Sequence, residues 1–71
     1  MPHIHKIILE QRSRLGLTQQ ELAELSNVSV RLIRELEAGR ANPGLQQLEK
    51  LAATLNLTLT LTATTNEVAG R

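Results

Sequence analysis

Arg31 and Arg34 stand three residues apart in VRLIRELEAGR, the stretch from Val30 to Arg40. On a helix that spacing puts both guanidiniums on one face. Such a pair has two uses. It can be a solvated helix surface, or each guanidinium can hold the O6 and N7 edge of a guanine through two parallel hydrogen bonds. The two residues alone leave both uses open. Other reactive types are few. His3 and His5 lie two apart with no cysteine in the chain, a weak metal signal, and they are expected to be exposed N-terminal residues. No Ser/His/Asp set, paired-carboxylate cleft or glycine-rich phosphate loop stands out. No enzyme activity, cofactor or metal is therefore expected.

The elements that would position the arginines are short. Ile4, Ile7, Ile8 and Leu15 share one side of a helical wheel, so a first helix is expected over about 4–15. Arg12 falls on that apolar side and needs a partner. Gly16 can take the positive φ that ends a helix. Thr18 and Glu21 then form a capping box opening a second helix over about 19–25, with Leu22, Ala23 and Leu25 directed inward. Asn27 tolerates the left-handed conformation of a tight turn. Ser29 can cap a third helix over about 30–38, with Ile33 and Leu36 inward and Gly39 past its end. After the loop Arg40 to Gly44, the residues Leu48, Leu51, Ala52 and Leu55 recur at helical spacing, giving a fourth helix over about 45–55. The period then switches. LTLTLT alternates strictly over 57–62, the pattern of a strand with one apolar face, and 64–71 reads as a frayed tail.

Composition limits what these elements can build. Seventy-one residues allow one domain, read as 1–71, and its core must be aliphatic because Phe, Tyr and Trp are absent. A chain this short buries only about 60% of its unfolded surface, so its stability is marginal. Without cysteine no disulfide can help, which leaves association between copies as a source of buried area. The net charge of +1 neither demands nor excludes nucleic acid; the placement of the charges decides. No apolar run approaches a membrane span, and MPHIHK is not a signal peptide, so a soluble cytoplasmic protein is expected.

Read in order, LGLTQQELA, the SNVS turn, IRELEAGR, and NP before a leucine-rich helix resemble the Cro/CI-type helix-turn-helix domain of bacterial and phage repressors. The resemblance covers Leu15 to Leu55. That family usually adds a fifth helix, whereas here the Leu/Thr segment follows the fourth. A helix-turn-helix followed by a strand is similar to the HipB-like antitoxins, which repress their own operon and bind a HipA-type kinase toxin. The expected fold is mainly α: four helices of this type plus a C-terminal strand that forms an antiparallel ribbon with a second copy.

The resemblance also assigns roles. The second short helix would enter the major groove while the first braces it across the backbone, and Ala23 would let the two cross closely. Ser29, Val30, Arg31 and Arg34 become the groove-facing set, with Val30 able to pack on a thymine methyl. Glu35 either accepts from cytosine N4 or pairs with a nearby arginine. Thr18 and Gln19 lie where a helix N-terminus attracts phosphate, and Gln19 can also brace a side chain of the reading helix. Arg40 and Asn42 follow the phosphates. Arg12 and Glu37 form a structural ion pair outside the base-reading set.

The resemblance therefore implies a sequence-specific repressor, in its narrower form the antitoxin of a toxin–antitoxin operon. A homodimer joined through Leu57, Leu59 and Leu61 would read a palindromic operator in double-stranded DNA. Two other readings stay open. One is a stand-alone phage or bacterial repressor with no toxin partner. The other is a protein-interaction adaptor with weak DNA binding.

Overall fold

The computed structural model of the chain describes residues 4–63. Four helices make up the domain: α1 over Ile4–Arg14, α2 over Gln19–Ser26, α3 over Val30–Glu37 and α4 over Leu45–Thr54. The expected tail 64–71 and His3 lie outside the described residues. Among the described residues no helix is long and apolar enough to cross a membrane.

Local chemistry sets most of the boundaries. Gly16 takes φ +72° after α1, and the Leu17 N–H reaches back to Arg12 O at 3.1 Å, closing the end of the helix. Thr18 completes the capping box: its Oγ1 accepts from the Glu21 N–H at 3.0 Å, and its own N–H donates to Glu21 Oε1 at 2.8 Å. Asn27, at φ 59°, makes the turn that ends α2. Ser29 Oγ accepts from the Leu32 N–H at 3.1 Å and starts α3. Replacing such a cap by alanine costs about 0.5–2 kcal/mol.

No one of these helices is long enough to stand alone; packing holds them. α2 lies against both α3 and α4, and α1 lies against α3. Leu22, Ile33, Leu51 and Leu55 are wholly buried at the centre, with Ile8, Ala23, Val28 and Leu36 around them. Each such aliphatic side chain contributes about 1.5–3 kcal/mol by leaving water. Gln11 fastens α1 to the far end of α4 by donating to Leu55 O at 3.0 Å. Ser26 is buried too, and its hydroxyl is satisfied by Leu22 O at 2.6 Å.

Two expectations need correction. Ile7 and Leu15, placed inward on the wheel of the first helix, are 49% and 46% exposed, while Ile8 beside Ile7 is buried. Leu25 is 65% exposed on the outer side of α2. The strand expected over 57–62 was to form by pairing with a second copy, and in the single chain no strand is present among the described residues. A strand is defined by pairing, and one chain offers this segment no partner. The segment instead leaves α4 at Asn56 (φ 60°), with Leu57 half-buried against the core and Leu61 95% exposed.

Candidate nucleic-acid interface

The turn at Asn27 sets α2 and α3 against each other, and Val28 is buried within it to fix the join. Ala23 is 8% exposed in the same core cluster. The consequence is that α3 buries one stripe, Ile33, Leu36 and Glu37, and presents the other. Arg31 and Arg34 are on the presented side, both exposed, and among the described residues neither is held in an ion pair. Val30 is half-buried and packs on the core, so only part of it is available to a ligand. The Ser29 hydroxyl is occupied as an acceptor by its cap, which leaves its proton free to donate.

Behind this surface sits a polar cluster. Glu37 is buried, and its carboxylate receives Arg12 Nε at 2.7 Å and Nη2 at 2.9 Å. A third donor reaches the same carboxylate: Gln19 Nε2 lies 2.9 Å from Glu37 Oε1. Arg12 also gives Nη1 to Leu17 O at 2.7 Å. Its guanidinium therefore holds its proton more firmly than usual, chiefly through the Glu37 hydrogen bonds and against the opposing effect of burial. Gln19 thus spends its side-chain amide on bracing α3. At the start of α2 the Glu21 and Leu22 N–H groups are taken by Thr18, which leaves the Gln19 and Gln20 N–H groups as the donors the helix cannot satisfy internally.

At the other end of α3 the chain folds back. Gly39 takes φ +76°, and the Arg40 N–H bonds Glu35 O at 2.8 Å. That wrap brings Arg40 over the last turn, and its Nε donates to Glu35 Oε2 at 2.9 Å. The hydrogen bond and charge of Arg40 hold the Glu35 carboxyl below the usual carboxylate range, with a smaller contribution from Arg31. Of the two fates open to Glu35, the free chain adopts the arginine pair. Asn42 is exposed in the following loop. His5, half-buried, has its imidazole 3.9 Å from where a side chain at Gly39 would begin. No cluster of potential metal ligands occurs among the described residues.

Sequence reasoning anticipated a brace from Gln19 to the reading helix and an arginine partner for Glu35, but it named neither Glu37 nor Arg40 as the partner. The first had no local signal. The second had one: a glycine after a helix end returns the next residue to the last turn, so Arg40 and Glu35 become neighbours although five apart.

The helix-turn-helix family model matches residues 8–61. The chain belongs to the helix-turn-helix family. Its curated relatives include two uncharacterized HTH-type transcriptional regulators. One, from Haemophilus influenzae, is 39% identical over 56 residues, covering 79% of this chain and 57% of that protein. Another, from Methanothermobacter thermautotrophicus, is 45% identical over 49 residues, covering 69% of this chain and 71% of that protein. Multiprotein-bridging factor 1b of Arabidopsis thaliana is 39% identical over 56 residues, covering 79% of this chain and 39% of its own length. The chain thus spans little more than half of the first of these proteins and less than half of the last.

Proposed function

We propose that the chain is a sequence-specific DNA-binding transcriptional regulator that places α3 in the major groove and reads base edges with Arg31 and Arg34. The observation that carries this is the division of labour on α3. Its inner side is fixed by Ile33, Leu36 and the Arg12–Glu37–Gln19 cluster, while Arg31 and Arg34 are exposed and, among the described residues, in no ion pair. Rigid backing with unpaired arginines in front is what bidentate base reading requires, because the geometry must be set before the base arrives. Family membership and the relatives named as HTH-type transcriptional regulators support it. Thr18, Gln19, Arg40 and Asn42 then lie along the phosphates and set register and affinity.

In its fuller form the reading is a homodimeric repressor acting on a palindromic operator. Its support is an apolar groove of about 120 Å³ beside the last described segment, bounded by Ile4, Ile7, Leu48, Ala52, Leu57 and Leu59. Leu59 is 41% and Leu61 95% exposed there, a disposition suited to pairing with the same segment of a second copy. The resemblance to HipB-like antitoxins adds autoregulation and binding of a HipA-type kinase toxin. A second reading, the protein-interaction adaptor, is favoured by the likeness to a multiprotein-bridging factor.

Selection of duplexes from a random pool by the purified chain tests the proposal. A repeated half-site, with copies about one helical turn apart, is the expected result. Recovery of unenriched sequence at low salt removes base reading and leaves the adaptor. Co-purification with the product of an adjacent kinase-like reading frame tests the antitoxin role separately.

A further inference from the structure

The Glu35–Arg40 pair is odd for a DNA-reading surface. A carboxylate on the presented side of α3 repels the phosphate backbone, and it occupies the guanidinium that would otherwise meet phosphate. Both side chains are open to solvent, 42% exposed for Glu35 and 68% for Arg40. Exposed pairs are weak, so a phosphate oxygen can take Arg40 over.

Building on the DNA-binding reading, we propose that Glu35 is a specificity-determining residue that acts through Arg40. On random DNA the pair persists, and Glu35 keeps one cation from the phosphates. On the preferred site Arg40 passes to a phosphate, and the uncovered Glu35 carboxylate accepts from the N4 amino group of a cytosine in the groove. Where guanine or thymine stands at that position, the carboxylate finds no donor and faces an electronegative groove edge, so the exchange is unfavourable. Specificity here comes from a penalty on wrong sequences as much as from attraction to the right one. The wrap at Gly39 matters because it delivers Arg40 to Glu35 by backbone geometry, through the bond from Arg40 N–H to Glu35 O.

A double-mutant cycle tests this with four full-length proteins: wild type, Glu35→Gln, Arg40→Ala and the double variant. Each is titrated with a random duplex and with the selected site. Glu35→Gln is expected to tighten binding to the random duplex by about tenfold and to steepen its salt dependence by roughly one phosphate. In the Arg40→Ala background the same substitution should change that affinity by less than about twofold, because no arginine is left to release. Preference for cytosine at one half-site position should also disappear in Glu35→Gln. Equal tightening in both backgrounds overturns the proposal, since Glu35 would then be a bare repulsive charge. Unchanged affinity of Glu35→Gln for random DNA overturns it too. Failure of the DNA-binding reading looks different: the wild-type chain itself would bind neither duplex.

Discussion

Arg12 grips Glu37 through two parallel hydrogen bonds, Nε to Oε2 at 2.7 Å and Nη2 to Oε1 at 2.9 Å, across the join between α1 and α3. The Glu37 side chain is 3% exposed and that of Arg12 16%. Removing one partner of such a pair strands a buried charge, at a cost of about 3–5 kcal/mol. Small domains have only about 5–15 kcal/mol in total. Arg12→Ala is therefore expected to be largely unfolded or close to it at room temperature, as urea titration followed by circular dichroism will show. Replacing both residues by methionine should cost less than replacing Arg12 alone, because no charge is left unpaired. If the double variant is the less stable one, the pair stabilises the fold outright.

Ala23 gives an independent check on the α2–α3 crossing. It is 8% exposed within the central cluster, so a leucine there must displace its neighbours. Overpacking of this kind costs about 1–3 kcal/mol. For a domain of this size each kcal/mol lowers Tm by roughly 4–8 °C. A thermal melt of Ala23→Leu that coincides with wild type would show that the site has room to spare.

These two positions also show what the sequence discloses. Helix ends were legible at Gly16, Thr18, Asn27, Ser29 and Gly39, because caps and left-handed turns are decided by a few adjacent residues. The central core was legible at Leu22, Ile33, Leu51 and Leu55 from spacing alone. Ile7, Leu15 and Leu25 were not, since a wheel says which side is apolar but not how wide a strip the neighbouring helix covers. The apolar alternation over 57–62 implied a strand, yet pairing depends on a partner that one chain cannot provide. Arg31 and Arg34 were legible as outward-facing residues, whereas their proposed use came from the resemblance. The Gln19–Glu37 contact joins residues 18 apart and follows only from the packed fold.

Arg31 and Arg40 should respond differently to truncation. Arg31 is exposed on α3 and in no ion pair among the described residues, and a bidentate arginine–guanine contact is worth about 1–3 kcal/mol of discrimination. Arg31→Ala should weaken the preferred site by that amount more than it weakens random DNA. Arg40→Ala should lower the salt slope on the preferred site by about one, as loss of a phosphate contact does, and change binding to random DNA little, because there Glu35 holds Arg40. Fluorescence anisotropy at several salt concentrations separates the two. Equal losses on both DNAs for Arg31→Ala would reduce it to a phosphate contact.

The last described segment carries the proposed dimer. Leu57 is tied down by its N–H bond to Ala52 O at 2.8 Å and packs on the core, so it belongs to the domain itself. Leu59 and Leu61 are different: they are 41% and 95% exposed, and Leu59 lines the groove with Ile4, Ile7 and Leu48. Lysine at both positions removes that surface and sets like charges opposite one another across an antiparallel ribbon, which is unfavourable. It leaves the wholly buried core residues untouched. The Leu59→Lys/Leu61→Lys variant is therefore expected to stay helical while sedimenting as a monomer at micromolar concentrations, where the wild type sediments as a dimer. Its binding to a palindromic site should fall towards that of a half-site, since the two reading helices are no longer joined. A monomeric wild type under the same conditions, or a variant that remains dimeric, would remove the ribbon and shift the palindrome requirement to another surface.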